Sequence, residues 1–189
     1  MSELVERHPG VADLSLDETT HPRVTELLSE HDLDVLHFVG HGELDAKDAN
    51  VSSFWLHDGR TLRPRDFRGG IQTRLRSRRP LVFFNACQVA RQSWSLTRLG
   101  GWAQRFVHDC GCGALVGPQW TVCDEDAHAF AKAFYEAPER GETFGQATCE
   151  ARRAVSSPEG RLAFKVYAHP NGRLRLGFAP GPRESSGGA

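Results

Sequence analysis

What the sequence lacks narrows its function first. No uninterrupted apolar stretch approaches the roughly 18–20 residues that a membrane-spanning helix needs, so no membrane partner is expected. The opening residues, MSELVERHPG, are charged and have no apolar signal core, which makes export unexpected. Charge of neither sign is in excess: 23 Lys plus Arg stand against 24 Asp plus Glu, a formal net charge of −1. Such a balance exerts no general pull on nucleic acid or anionic lipid. Cysteine is sparse and odd in number, five without framework spacing, as expected of free thiols in a reducing, cytoplasmic setting. There is no glycine-rich phosphate loop, because Gly100-Gly101 is too short, and a nucleotide-binding reading loses its support. No internal repeat recurs at a period of roughly 20–50 residues.

What is present is an ordinary globular composition, 39% hydrophobic and 25% charged over 189 residues, enough for one domain with its own core. Residues 1–22 are polar and broken by Pro9, Gly10 and Pro22, with one short strand candidate at Val11 to Leu16. Val24, Leu27 and Leu28 follow a proline start at helical spacing and predict a helix over 22–31. Val35 to Val39 is a compact apolar run ending in Gly40-His41-Gly42 and reads as a buried strand; 43–52 reads as a loop. Phe54 to Leu62 reads as a hairpin turning at Asp58-Gly59. The arginines between 63 and 79 read as a solvated face rather than a binding surface.

Leu81 to Phe84 is the strongest strand signal and runs into Asn85-Ala86-Cys87. Helices are expected over 96–108 (Leu99, Trp102, Phe106 and Val107 on one face), 124–137 and 144–155. Further strands are expected at 112–116, 164–168 and 174–178. The tail from Pro180 is rich in Gly, Pro and Ser and is expected to be disordered, leaving 23–179 as the domain. Strands alternating with helices imply an α/β fold with a largely parallel sheet and helices on both faces.

Functional residues of such sheets sit at the carboxyl ends of strands. His41 and Cys87 both occupy that place. A thiol attacks as its thiolate, and a neighbouring imidazole can accept the thiol proton and later protonate a leaving amine. Gly42 lets a substrate approach the backbone, and the N–H groups of Gly42 and Cys87 are candidate donors to an oxyanion. The competing reading is plain: a lone Cys at a strand end is usually a small buried residue, and a lone His-Gly is usually a turn. Other reactive groups carry weaker readings. His108, Cys110 and Cys112 would need a fourth ligand such as Cys123 or His128 to hold zinc, so no metal is expected. Cys149 reads as inert packing, His37 as a structural histidine, and Trp94 and Trp102 as core or groove wall.

The stretch DVLHFVGHGE at 34–43 resembles the histidine motif of CHAT domains, and LVFFNACQVA at 81–90 their cysteine motif. FWLHDGRTLRPRDF (54–67), GALVGPQWTVCDEDAHAFAKAFYEA (113–137) and FKVYAHPNGR (164–173) are similar to the family's hairpin, its downstream strand and helix, and its closing strand. The resemblance covers about 34–178. It implies a three-layer caspase-like fold with a mostly parallel central sheet flanked by helices. It also implies a cysteine endopeptidase in which His41 is the general acid/base, Cys87 the nucleophile, and the Gly42 and Cys87 backbone the oxyanion hole. Trp120-Thr121-Val122-Cys123-Asp124 resembles a Trp-x-Val-x-Asp segment of separase-like relatives, which places Trp120 and Asp124 at substrate. An ionised Asp124 would favour Arg or Lys before the scissile bond, unless it serves only as a helix-start acid.

The implied partners are a protein substrate and a separate regulatory protein, within a bacterial defence or signalling system, and no cofactor is implied. The chain departs from the family pattern at its front. Only about 33 residues precede the histidine motif, and their strand candidate resembles the family's second strand better than its first. A missing first strand would leave one edge of the His41 strand exposed, to be covered by a partner or left dynamic. That departure is the argument for the alternative reading, a non-catalytic interaction module.

Overall fold

The computed structural model describes residues 14–43, 52–87 and 100–174, with positions 86, 87 and 100 described through their backbone. The expected loop at 43–52 (beyond its first residue), Trp94, the start of the 96–108 helix, the strand at 175–178 and the tail lie outside the described residues.

Among the described residues six strands form one sheet: β1 (Val35–Glu43), β2 (Ser53–Trp55), β3 (Thr61–Leu62), β4 (Leu81–Cys87), β5 (Ala114–Pro118) and β6 (Phe164–Ala168), in the order β3-β2-β1-β4-β5-β6. Only β1, β4 and β5 are mutually parallel. The β1–β2, β2–β3 and β5–β6 pairings are antiparallel, so the expected mostly parallel sheet is corrected to a mixed one with a parallel centre. The connections explain both edges. β2 and β3 form a local hairpin whose turn places Gly59 at φ +74, where a glycine is needed. At the other edge, three helices intervene between β5 and β6, and β6 starts level with the end of β5, Phe164 pairing with Pro118, and runs against it.

Helices cover both faces. On one side lie α1 (His21–Glu30), α2 (Gly70–Arg78) and α3 (Gly100–Ala103, continued by a π-helical segment, Gln104–Asp109), on the other α4 (Asp124–Glu139), α5 (Phe144–Ala154) and α6 (Pro158–Ala163). The pleat of β4 divides the core between them. Val82 and Phe84 join Val24, Leu28, Ile71, Leu75, Trp102 and Phe106 on the first side. Leu81 and Phe83 join Ala127, Phe130, Phe134, Ala147 and Ala151 on the second. Phe83 lies at the centre of the second cluster, its ring 5.7 Å from Phe134, 5.4 Å from Tyr135 and 6.2 Å from Phe164. Each such side chain removed from water stabilises the fold by about 1.5–3 kcal/mol before entropy is counted.

Local signals explain the helix ends. Three acids, Asp124, Glu125 and Asp126, sit in the first turn of α4, where the helix dipole favours them. Thr143 and Gln146 close a capping box on α5. α6 had no counterpart in the expected elements. It starts at Ser157-Pro158, with the Ser157 hydroxyl accepting from Gly160 N–H at 2.9 Å and proline in the first turn.

Four expectations need correction. Leu16 to Glu18 forms a single 3₁₀ turn rather than the end of a strand, because Ser15 and Glu18 cap it reciprocally; Val11 to Asp13 lie outside the described residues. β1 does not stop at Val39 but runs through Glu43, since β2 pairs with its far end. Val107 is 37% exposed although Trp102 and Phe106 are buried. The last turns of α3 are π-helical, with Cys110 N–H donating to Arg105 C=O at 2.8 Å, and the widened turn carries Val107 out of the buried stripe. Cys149 is exposed, because Phe144, Ala147 and Ala151 take the inward face of α5. The arginines of 74–78 act mainly within the chain: Arg74 pairs with Asp32 at 2.9 Å and Arg78 with Asp34 at 2.6 Å, holding α2 beside the entry to β1.

Candidate active site

The site is built on the parallel ladder between β1 and β4. Their register runs without a break from Val35↔Leu81 to His41↔Cys87. Parallel partners fall on the same face of a sheet, about 4.8 Å apart. Positions 41 and 87 are thus neighbours at the carboxyl end of the two strands, on the face that also carries His37 and Phe83. His41 is exposed to solvent.

Gly40 sets the approach to His41. Its φ is +155, and a Cβ there would stand 2.9 Å from Cζ of Phe54, a side chain that is only 3% exposed. Glycine at this point lets β2 close on β1 while the strand continues to His41. Gly42 is buried and is the register partner of Phe54.

His37, four residues before His41, has a different role. Its Nδ1 lies 3.2 Å from the Tyr135 hydroxyl and its ring centroid 4.8 Å from that of Phe83. Burial pushes its pKa down to about 4, so the ring is neutral near pH 7. Its Nε2 is buried without a hydrogen-bond partner among the described residues. The same burial drives the Tyr135 hydroxyl far above its ordinary pKa. This pair is packing between β1 and α4, as the apolar run around His37 led us to expect.

Trp120 and Asp124 lie beyond the end of β5, the strand on the other side of β4 from His41. Trp120 is half-buried and packs against the second core cluster. Asp124 is exposed and opens α4. The entry to the loop that bears them is pinned just before Trp120 by Gln119 N–H, which donates to Ala163 C=O at 2.7 Å. A second tie went unnoticed in the sequence: Asp126 is only 5% exposed and accepts from the Ser157 hydroxyl. That bond holds the Asp126 carboxyl below the usual carboxylate range. It locks the start of α4 to the start of α6, and its signal was the Ser-Pro-Glu helix start at 157–159.

The other cysteines separate by environment. Cys110 and Cys112 are buried, and desolvation raises their thiols to about 11 and about 12. Cys123 and Cys149 are exposed. His108 sits largely in solvent beside Asp109, and no metal-binding cluster occurs among the described residues. A cavity of about 190 Å³ lined by Asp34, Arg78, Arg79, Leu81, Gly113 and Arg173 opens at the amino-terminal ends of β1, β4 and β5, the pole opposite His41.

The class these features define is an α/β protein with a histidine and a cysteine side by side at the carboxyl ends of adjacent parallel strands. Residues 3–171 match the CHAT domain, and the chain belongs to that family, which is related to caspase-like peptidases. Comparison with curated proteins gave no match. Among the described residues no helix is long and apolar enough to cross a membrane.

Proposed function

We propose that this chain is a cysteine endopeptidase of the CHAT type, built on a three-layer caspase-like arrangement and acting on a protein substrate in the cytoplasm. The observation that carries this reading is the register pair His41↔Cys87. His41 takes the proton of the Cys87 thiol. The thiolate attacks the scissile carbonyl carbon, and the N–H groups of Gly42 and Cys87 receive the oxyanion. The intermediate collapses as the C–N bond breaks, and His41 gives its proton to the leaving amine. His41 then takes a proton from water, the hydroxide attacks the thioester, and the Cys87 thiolate leaves. No cofactor is needed in this sequence. Trp120 and Asp124 would border the residue before the scissile bond, and Asp124 would favour a basic side chain there.

A second reading has its own support. Among the described residues no strand pairs with the outer edge of β1 from Val35 to Gly40. An open edge suits a module that recruits a partner chain by strand addition. Under the peptidase reading the same edge is where a regulatory partner would complete the sheet. Either role fits a bacterial defence or signalling system.

Co-expression of the chain with the products of its neighbouring genes separates the readings. A cleaved product that disappears with Cys87→Ala supports the peptidase; a stable complex that survives Cys87→Ala, with no cleaved product, supports the module.

A further inference from the structure

The sheet carries an uncovered strip beside the candidate dyad. The β1–β2 register pairs Gly42 with Phe54 and Glu43 with Ser53. One step further along that antiparallel ladder brings Trp55 level with His41. Phe54 is buried in the core cluster of the α1–α3 side. Trp55, the next residue, therefore projects to the opposite face, the one shared with His41. On that face α4 reaches β1 at His37, through Tyr135. Beyond it, Val39 is 54% and Trp55 48% exposed. Five large apolar side chains are exposed among the described residues, and these two flank His41. Glu43, on the same face, is exposed at the far end of the strip.

The strand order gives this strip a direction. Across the rim the positions run Trp55 on β2, His41 on β1, Cys87 on β4, then Trp120 and Asp124 after β5. In thiolate catalysis the acyl part stays on the sulfur, while the leaving amine must lie within reach of the imidazole that protonates it. The chain after the scissile bond therefore departs across His41, away from β5. We infer that Trp55, with Val39, is the subsite for the leaving segment of the substrate, and that it seats an apolar side chain there. Trp55 stands two strand spacings from position 87, about 9–10 Å, and an extended peptide advances about 3.3 Å per residue. The seated side chain is thus the second or third after the scissile bond. This rests on the peptidase reading and deepens it: the substrate is an extended segment with an aromatic or branched aliphatic residue shortly after the cut. Trp55 is a specificity-determining residue in this account, and it takes no part in bond making.

The test is cleavage of a proteome-derived peptide mixture, with sites read by mass spectrometry, for the wild type, Trp55→Ala, Trp55→Phe and Cys87→Ala. Wild-type sites should be enriched in aromatic and branched aliphatic residues at the second or third position after the cut. Trp55→Ala should lower that preference about 10-fold while leaving the preference before the cut unchanged, and Trp55→Phe should keep most of it. Cleavage that needs Cys87 but shows no apolar preference after the cut, or one that Trp55→Ala leaves intact, would overturn the subsite alone. Absence of any cleavage that needs Cys87 would overturn the peptidase reading and the subsite together.

Discussion

Cys87 is the register partner of His41, the last of seven consecutive pairs that begin at Val35 and Leu81. A one-residue slip in that ladder would put the two positions on opposite faces of the sheet. Their juxtaposition is therefore inherited from the alternation of Val82 and Phe84 with Leu81 and Phe83, which two separate cores hold in place.

The approach to His41 should tolerate no side chain at position 40. Gly40→Ala adds a Cβ at φ +155 and 2.9 Å from Phe54. We expect a loss of about 2 kcal/mol in stability, read from denaturant midpoints, together with slower modification of Cys87. A variant as stable and as reactive as the wild type would show that Gly40 does not shape the strand end.

His37 should make the fold sensitive to mild acid. Its pKa falls from an ordinary 6.5 to about 4 in the folded chain. Above pH 6.5 the ring is neutral in both states, so it adds no pH dependence there. Between pH 6.5 and about 4 the unfolded chain binds a proton that the folded chain refuses, and stability falls as pH falls. The loss reaches at most about 3 kcal/mol. Urea unfolding of wild type and His37→Phe over pH 7 to 4 isolates this effect, since carboxylates titrate alike in both. Parallel curves for the two proteins would contradict it.

The buried thiols should be silent. Alkylation of the native protein at pH 8 should modify Cys149 and Cys123 readily. Cys110 and Cys112 should be spared until unfolding, because burial raises their thiols to about 11 and about 12. Peptide mass mapping reads the order; alkylation of Cys110 or Cys112 as fast as Cys149 would refute it.

Ser157 should matter more than its place on a short helix suggests. Ser157→Ala removes the cap of α6 and the hydrogen bond that Asp126 accepts. Loss of the cap alone costs about 1 kcal/mol, read as a lowered thermal midpoint. If Asp126 also anchors the loop that bears Trp120, cleavage preference before the scissile bond should broaden in this variant. An unchanged midpoint would show that the tie is dispensable.

Much of this arrangement was legible in residues close together in sequence. The apolar runs at 35–39 and 81–84, each followed by a reactive residue, located both central strands and the two candidate catalytic positions. The Asp-Gly pair located the hairpin, and the Phe130–Phe134 stripe located α4. What stayed hidden depends on contacts between distant segments. The antiparallel outer pairings depend on how many helices intervene between strands, and α6 was too short to show a period. The exposure of Val107 follows from a π turn, and the place of Trp55 beside His41 follows from a register that no local pattern encodes. Gly40 was visible only as part of a glycine-flanked histidine, because the Phe54 ring it must accommodate lies fourteen positions away.

The most direct test is the reactivity of one sulfur. The purified chain is treated at neutral pH with a peptidyl electrophile bearing a basic residue next to the warhead, and each cysteine is assayed by mass spectrometry. If His41 and Cys87 act as a pair, Cys87 is modified well ahead of the exposed Cys149, and His41→Ala abolishes that lead. Modification of Cys87 no faster than Cys149, or a lead that persists in His41→Ala, would contradict the dyad.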